Sequence, residues 1–394
     1  MRAYDQAVLA LPFYEPRHVE LARRLDDWAA AHAWLWDKDG EPEQTGLRIV
    51  RALGDAGWLS FLAPDAPEGG DFRSQCLIRE GLAYADDLAD FAFSIQALSA
   101  YPIVRYGSPA QRERYLPGLA DGTLVSSFAV SEREAGSDLA SIRLRAEPGP
   151  DGGYVLNGTK AWIANGSTAD VHCVLARTGE GPGALGLTAF LVPADTPGVR
   201  VSERIAAIAP RAFTHLAFAG CHLPAGSVLG RPGRGFEVAM ETLDRYRMTV
   251  GAAAVGFARR AADAALGRAR GRSIQGGVLF DLPTVRATLA DMDVKLNAAA
   301  LLVARAAWEL DRGGRRFARH SSIAKLYATE TAQEIVDAAV QLFGAAGLVK
   351  DSVPERLYRQ VRSLRIYEGP SEVQRAIIAS MLDLRRGAPD ATDS

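Results

Sequence analysis

Glu368 stands in an unusual setting for a carboxylate near the end of the chain. It lies in the stretch Y-E-G-P-S, between the aromatic Tyr367 and the flexible Gly369, and it follows the apolar Ile366. An aromatic neighbour shields a carboxylate from water, which raises its pKa and suits it to take a proton from a substrate. The alternative is that Glu368 caps the helix predicted to begin near Ser371, although serine is the better capping residue.

A second group of candidate ligand-binding residues lies in the stretch S-S-F-A-V-S-E-R-E-A-G-S-D, in the middle of the chain. Phe128 and Val130 are predicted to face one side of a strand. Ser131, Gly136 and Ser137 offer hydroxyl groups and a backbone that a ligand can approach closely. Taken alone, the pattern fits an ordinary strand followed by a Ser/Gly loop equally well.

Other common site patterns are missing from the sequence or lie in the wrong context. A literal G-x-G-x-x-G occurs at Gly181–Gly186. A strand rather than a helix is predicted after it, so it lacks the helix N-terminus that binds a pyrophosphate. The six histidines do not cluster, and we predict no metal site. The sequence contains neither a nucleophile elbow nor a P-loop.

The composition is that of a globular protein without a general affinity for nucleic acid. Of 394 residues, 48% are apolar and 23% charged, and the formal net charge is −2. Only five of the 45 basic residues are lysine, and no arginine-rich tract is interleaved with aromatics. Three scattered cysteines without C-x-x-C spacing predict reduced thiols. Because no signal-like or membrane-spanning apolar run is present, we expect a cytoplasmic location.

The hydrophobic periodicity divides the chain into three predicted domains. Residues 1–122 show helical spacing, residues 123–232 show strands and turns, and residues 233–394 show long helices again. We therefore predict an α+β multidomain fold, with an N-terminal helical domain, a central antiparallel β domain and a C-terminal four-helix bundle. The four bundle segments are expected near residues 236–270, 281–312, 316–346 and 353–383.

Local signals mark turns within this pattern. The strands predicted at Tyr154–Leu156 and Thr159–Ile163 flank Asn157–Gly158, which we interpret as a tight hairpin turn. A loop is predicted at Pro64–Gly70 and a frayed tail at Gly387–Ser394.

Several ordered motifs resemble those of the flavin-dependent acyl-CoA dehydrogenase family. The middle of the chain carries S-S-F-A-V-S-E-R-E-A-G-S-D-L and then L-N-G-T-K-A-W-I-A-N-G. The last third carries R-M-T-V-G-A-A-A-V-G from Arg247, then A-V-Q-L-F-G-A-A-G and I-Y-E-G-P-S-E-V-Q-R. The resemblance spans roughly residues 40–380. It implies the same order of helices, strands and helices, FAD as the cofactor, and a homo-oligomer that is a tetramer or a dimer.

The resemblance implies α,β-dehydrogenation of an acyl-CoA thioester. A base removes the α-proton while the β-hydrogen leaves as hydride to flavin N5, and an electron-transferring flavoprotein then accepts the electrons. Because the α-proton is only weakly acidic, hydrogen bonds to the thioester oxygen and a dry pocket must assist the base. Glu368 matches the family's base position. The other position used in the family, just before Arg247, is Tyr246 here and cannot act as a carboxylate base.

The resemblance also implies the remaining ligand contacts. Flavin contacts are implied for Phe128, Val130, Ser131, Trp162 and Ile163, and further cofactor contacts for Gly136, Ser137, Arg272, Gln275, Gln341, Gly344 and Glu372. Substrate contacts are implied for Ser137, Asp244, Arg247, Tyr367 and Glu368, with Gly369 beside the base. Two ordinary alternatives stay open, since Trp162 suits a protein core and Arg247 suits a solvated helix face.

Three positions depart from the family pattern. Ala164 stands where a Ser or Thr hydroxyl usually meets flavin N5, Pro370 where Thr is common, and Pro283 where Gln is typical. Ala164 keeps open an acyl-CoA oxidase or an acyl-carrier-protein dehydrogenase of the same fold. The alternative from a different class is a non-catalytic acyl-CoA- or flavin-binding protein.

Overall fold

A computed structural model describes residues 3–36, 40–62, 71–314 and 317–383. The loop predicted at Pro64–Gly70 and the tail predicted at Gly387–Ser394 lie outside these residues. The chain divides into two compact units. The bundle unit comprises Met1–Ala29, Phe72–Ala85 and Asp244–Ser394, and the sheet unit comprises Ala30–Asp71 and Asp86–Leu243.

Helices precede and follow a central sheet, which confirms the predicted fold class. The described helices are α1 Gln6–Leu9, α2 Pro16–Ala31, α3 Pro42–Asp55, α4 Phe72–Ala85, α5 Asp87–Tyr106, α6 Pro109–Ala120, α7 Gly235–Gly271, α8 Pro283–Asp311, α9 Phe317–Phe343, α10 Val353–Leu364 and α11 Ser371–Asp383. Two begin on typical N-terminal signals, since the Asp86 carboxylate caps α5 and Pro283 is the first residue of α8.

The central sheet is mainly antiparallel. The described strands are β1 Ser126–Ala129, β2 Arg145–Pro148, β3 Tyr154–Ala164, β4 Val171–Arg177, β5 Leu187–Pro193, β6 Val199–Ile205, β7 Phe213–Leu223, β8 Val228–Leu229, β9 Ser273–Ile274 and β10 Gly277–Val278. The sheet order is β6-β7-β3-β2-β4-β5-β8, and β9 pairs only with β10. β1 adds to β4 in parallel, and β2 meets β4 in parallel at one residue pair, so the sheet contains two parallel contacts.

The prediction of a hairpin turn at Asn157–Gly158 was wrong. Both flanking segments belong to the single strand β3, because both pair with the same partner, β7. At this point β7 carries one extra residue and bulges, and the Asn157 side chain accepts a 2.8 Å hydrogen bond from the Gly220 N–H. Asn-Gly therefore accommodates a bulge in the neighbouring strand and does not reverse the chain.

The apolar core of the sheet unit lies on one side of these strands. Its members include Leu144, Leu156, Ile163, Val174, Phe190, Val192, Leu216 and Phe218, all at most 3% exposed.

A second bulge interrupts the pairing of β3 with β7 between Lys160 and Ile163, where Ala161 and Trp162 oppose the single residue His215. Trp162 takes a left-handed φ of 60° there. The bulge reorients the indole side chain relative to the strand.

The bundle unit is organised around α9, which packs against α8, α10 and α11. Small and branched residues on its buried face allow this close packing: Ala324, Ala328, Ala332, Ile335 and Val336. The bundle segment expected near residues 353–383 consists of α10 and α11, separated by residues 365–370, and α11 begins at Ser371 as predicted. The interruption contains Glu368.

The G-x-G-x-x-G stretch ends in a short 3₁₀ turn, Gly183–Gly186, and strand β5 follows it, as the sequence predicts.

Within the described ranges, no helix combines the length and the apolar composition that a membrane span needs.

Candidate active site

The turn between α10 and α11 holds Glu368 in a backbone conformation that side-chain-bearing residues rarely adopt. Its φ is 52°, and that of the following Gly369 is 87°. Two successive left-handed residues cannot continue a right-handed helix, which explains why α10 ends before them. A non-glycine residue with such a φ costs about 1–3 kcal/mol and is concentrated at functional sites.

Hydrogen bonds of Ser371 and Gln374 fix the start of α11. The Ser371 hydroxyl donates to the Glu330 carboxylate on α9. The Ser371 N–H donates to the carbonyl oxygen of Arg365 at 3.2 Å. The Gln374 N–H, in the first turn of α11, donates to the Pro370 carbonyl oxygen at 3.0 Å. The first turn of α11 is therefore satisfied largely by backbone carbonyl groups of the turn itself.

Arg247 lies beside the turn and is buried, with 2% of its surface exposed. Its guanidinium group pairs with the Asp244 carboxylate one helical turn earlier on α7. A Cβ at Gly369 would lie 3.7 Å from Arg247 Nε, a buried atom that bonds to no group in the described part of the chain. These contacts exclude the solvated-arginine interpretation and place a fixed positive charge next to the turn.

Tyr246 lies on α7 next to Arg247, and its ring carries a hydroxyl group that interacts electrostatically with Glu368. It is 2% exposed and packs edge to face against Phe72 at 5.5 Å between ring centroids. Burial raises the pKa of Tyr246 well above its ordinary value. A hydrogen bond with Gln75 lowers this pKa, and the nearby charge of Glu368 raises it. Tyr246 therefore stays protonated at neutral pH and is able to donate a hydrogen bond close to Glu368.

Two functional candidates in this turn were missed by the sequence analysis. Lys325 on α9 is fully buried, and Gln374 on α11 is buried as well. Both donate hydrogen bonds to carbonyl oxygens of the turn. The available signal was weak: Lys325 falls on the periodic buried face of α9, where a lysine is unusual.

In the sheet unit, the loop after β1 is held by a buried ion pair. Lys160 Nζ lies 2.9 Å from Glu132 Oε1 and donates a 3.0 Å hydrogen bond to the Val130 carbonyl oxygen. Burial lowers the pKa of Lys160 to about 8, although the Glu132 charge opposes this shift. The Ser131 carbonyl oxygen accepts a 2.9 Å bond from the Ala161 N–H. The loop is thereby fixed to β3.

Trp162 is the most accessible aromatic among the predicted flavin contacts, with 53% of its surface exposed, so it is not a core residue. Its ring packs edge to face against buried His215 at 4.9 Å. Arg133 Nη2 lies 2.7 Å from His215 Nδ1. Glu203 Oε2 lies 3.2 Å from the same Nδ1. The buried Nε2 of His215 bonds to no group among the described residues.

The other predicted flavin contacts of the sheet unit differ in exposure. The Ile163 side chain lies in the sheet core at 2% exposure, which leaves only its backbone for a ligand. Val130 lies one residue beyond the end of β1, and Phe128 within the strand is half-buried. Gly136 and Ser137 are exposed, and a Cβ at Gly136 would meet nothing within 4 Å.

The predicted cofactor contacts of the bundle unit lie on its surface. Arg272 and Gln275 belong to the β9–β10 hairpin region, and Gln275 has a left-handed φ of 47°. Gln341 is exposed near the end of α9, and Gly344 follows that end with a φ of 62°. The Glu372 side chain is 81% exposed. These residues are available to a ligand or to a second subunit.

The turn between α10 and α11 brings several ionisable and hydrogen-bonding side chains together. The bundle unit gathers one carboxylate, one buried guanidinium and one protonated phenol around a glycine-containing turn. Among the described residues, no three His, Cys, Asp or Glu side chains are grouped so that they could hold a metal ion. Apolar surroundings strengthen each electrostatic interaction at such a site.

Comparison with known proteins places most of the chain in one family. The acyl-CoA dehydrogenase N-terminal, middle and C-terminal domain models match residues 18–123, 127–221 and 233–382, respectively. The chain is 37% identical over 335 residues to the probable acyl-CoA dehydrogenase FadE25 of Mycobacterium tuberculosis, covering 84% of this chain and 86% of that protein.

Solved structures are similar over almost the full length. The butyryl-CoA dehydrogenase of Megasphaera elsdenii has a TM-score of 0.87 and 30% identity, covering 93% of this chain and 98% of that chain. A glutaryl-CoA dehydrogenase of Mycobacterium smegmatis in complex with FADH2 has a TM-score of 0.83 and 26% identity, covering 94% of this chain and 95% of that chain.

Proposed function

The chain belongs to the acyl-CoA dehydrogenase family, and on that premise we propose that it removes the α- and β-hydrogens of an acyl-CoA thioester with Glu368 as the base. The observation that carries this proposal is the left-handed turn that presents Glu368 beside buried Arg247 and Tyr246. A strained carboxylate among buried polar groups is typical of a catalytic site.

The chain's own groups account for the proton transfer. The Glu368 carboxylate takes the α-proton, and the negative charge then grows on the thioester oxygen. The Glu368 N–H is the donor proposed to meet that oxygen, and the absence of a side chain at Gly369 lets the substrate approach the backbone. Arg247 fixes the turn electrostatically, and Tyr367 and Tyr246 limit access of water to the carboxylate.

The sheet unit has features that fit FAD. An exposed indole at Trp162, a buried ring nitrogen without a described partner at His215 and an open backbone at Gly136 suit a large planar cofactor with many polar atoms. When bound, FAD supplies the acceptor for the β-hydrogen as hydride. Ser131 and Ser137 would hold its polar edge and phosphates, while Arg272, Gln341 and Glu372 would contact FAD at a subunit interface.

We further propose a homo-oligomer, with acyl-CoA as the substrate and an electron-transferring flavoprotein as the electron acceptor. Exposed apolar residues of the bundle unit support association between copies. Leu348 is 75% exposed and Val349 60% exposed, directly after the Gln341–Gly344 segment. Exposed apolar residues beside proposed cofactor contacts are typical of a protein–protein interface.

Anaerobic mixing of the purified flavin-containing protein with straight-chain acyl-CoAs of increasing length tests the proposal. At least one acyl-CoA should bleach the visible flavin absorbance. Glu368→Gln should slow this bleaching by at least ~1,000-fold because it removes the base. Glu334→Gln, on an exposed face of α9, is the matched control and should bleach at the wild-type rate. Equal rates for Glu368→Gln and wild type would refute the assignment of the base.

A further inference from the structure

Lys325 is an unusual residue for the interior of a helical bundle. It lies on α9 and has no exposed surface. Its ammonium group donates hydrogen bonds of 3.1 Å to the Tyr367 carbonyl oxygen and 2.6 Å to the Gly369 carbonyl oxygen. These two carbonyl groups flank Glu368 in the chain. One buried cation thus bridges the backbone on both sides of the proposed base.

The carbonyl group between them is also held by a side chain. The Gln374 side-chain amide donates to the Glu368 carbonyl oxygen at 3.3 Å and to the Gly369 carbonyl oxygen at 2.9 Å. Three successive carbonyl groups of the turn therefore accept hydrogen bonds from Lys325 or Gln374. Because the turn uses two left-handed residues, it lacks the regular helical hydrogen bonds that would otherwise fix it.

Filling the space at this position would not in itself require a lysine. Burial of an ammonium group is unfavourable, and an apolar side chain of similar length would fill the same space without that penalty. The charge is compensated by the carboxylates that face Lys325: Glu368 in the turn, Glu330 on α9 itself and Glu372 on α11. Arg247 on α7 opposes them. The ammonium group therefore lies buried next to the proposed catalytic turn although its desolvation is unfavourable.

We propose that Lys325 is a positioning residue, whose ammonium group locks the backbone turn that carries Glu368 and so sets where the carboxylate meets the substrate. This inference rests on the proposed function of Glu368. Lys325 does not contact the reacting atoms. It acts through the two carbonyl groups, and its loss leaves the base present but poorly held.

The charge state of Lys325 gives this role a pH dependence. Burial lowers the pKa of Lys325 to about 8, although the charge of Glu368 opposes the shift. Below this pH the ammonium group makes strong charge-assisted hydrogen bonds to the turn. Above it, the neutral amine makes weaker ones. The rate of the proton-transfer step should therefore decline as the pH rises through about 8.

Three variants of the flavin-containing protein test the proposal: Lys325→Met, Lys325→Arg and the control Lys295→Met. Lys295 lies on α8 and pairs with Glu334 at the surface. Lys325→Met should lower kcat by ~10- to 100-fold with little change in KM, since orientation and not affinity is lost. Lys325→Arg should keep more activity and lose the decline above about pH 8, because arginine stays charged. Lys295→Met should match wild type both in kcat and in the decline of the rate at high pH.

Hydrogen exchange of the peptide spanning residues 364–372 supplies a readout that needs no turnover. Lys325→Met should exchange faster in this peptide while α10 and the rest of α9 keep their protection. Unchanged exchange there, or an equal loss of kcat in the Lys325→Met and Lys295→Met variants, would overturn the proposal. If wild type fails to bleach with any acyl-CoA, the proposed function fails. The exchange experiment still decides whether Lys325 holds the turn.

Discussion

The side-chain amide of Gln374 lies 2.9 Å from the carbonyl oxygen of Gly369, and a Cβ at position 369 would come within 2.6 Å of the same amide nitrogen. The group that holds the turn thus occupies the space that a side chain would need. The φ of 87° at Gly369 adds a second reason for glycine, since residues with a Cβ rarely adopt it. Both constraints act next to Glu368.

Gly369→Ala should therefore impair catalysis more than its backbone strain alone would suggest. The left-handed conformation costs about 1–2 kcal/mol in stability. Displacement of the Gln374 amide should in addition lower the rate of flavin reduction by acyl-CoA by at least ~10-fold. The measurements are the free energy of unfolding and the rate of anaerobic bleaching.

Gly313→Ala is the matched control for this variant. Gly313 also has a left-handed φ, 72°, but a Cβ there would meet nothing within 4 Å. It should lose a similar amount of stability and keep the wild-type rate. If both variants bleach at the same rate, the contact between Gly369 and Gln374 has no role in holding the base.

Lys160→Met should destabilise the sheet unit strongly. It would leave the buried Glu132 carboxylate without its cation, although backbone N–H groups of Arg143 and Leu144 still donate to it. Removal of one member of a buried ion pair typically costs about 3–5 kcal/mol. Urea unfolding monitored by circular dichroism measures this loss, and release of flavin should accompany it because the Val130–Glu132 loop is freed.

An exposed lysine provides the comparison for Lys160. Lys295 and Glu334 are paired at 2.6 Å with side chains 42% and 58% exposed. Lys295→Met should change the free energy of unfolding by less than ~1 kcal/mol, as expected for surface pairs. If Lys160→Met changes the free energy of unfolding by an equally small amount, the backbone N–H groups alone are sufficient hydrogen-bond partners for the Glu132 carboxylate.

The sequence predicted several strands and the long C-terminal helices because their periodic apolar residues build local structure directly. Strand β5, predicted to follow the G-x-G-x-x-G stretch, begins directly after it at Leu187. Asn157–Gly158 was misassigned for a physical reason. The same dipeptide that turns a hairpin also tolerates a bulge, and only the pairing of both flanks with β7 distinguishes the two.

The candidate site was only partly predictable for a related reason. Glu368 and Gly369 could be proposed from the sequence because the chemistry of a carboxylate beside a glycine can be inferred locally. Lys325 was missed, because its partners are 42 and 44 residues further along the chain. Every residue has a backbone carbonyl group, so the amino-acid sequence does not show which carbonyl groups accept a hydrogen bond from Lys325. The conformation of the turn is likewise fixed by tertiary contacts that composition does not reveal.

Trp162→Ala should weaken flavin binding without unfolding the protein. Trp162 is 53% exposed and packs against His215 at 4.9 Å. Loss of an aromatic contact costs about 0.5–1.5 kcal/mol, which corresponds to a ~2- to 10-fold higher dissociation constant for FAD. Fluorescence titration of the flavin-free protein measures it. Trp34→Ala is the control, since Trp34 is 69% exposed and also neighbours a histidine, His32. Equal affinities for the two variants would argue against flavin contact at Trp162.

Glu330 links α9 to both sides of the turn between α10 and α11, and its ionisation should make stability depend on pH. Burial raises the pKa of Glu330, but hydrogen bonds from Ser371 and Arg365 outweigh this effect, so that its pKa lies below the ordinary value of 4.5. The folded state thus favours the ionised carboxylate. This contribution is fully present above pH 4.5 and is lost as the pH falls through the lower pKa of the folded state.

Glu330→Gln should therefore lower the melting temperature at neutral pH, and its difference from wild type should shrink as the pH falls below 4.5. Glutamine still accepts the Ser371 hydrogen bond, so the variant removes the charge and retains much of the geometry. Calorimetric melting between neutral and acidic pH measures the difference, with Glu334→Gln as the control on the exposed part of the same helix. A difference that stays constant with pH would show that the Glu330 charge does not stabilise the connection between α9 and the turn.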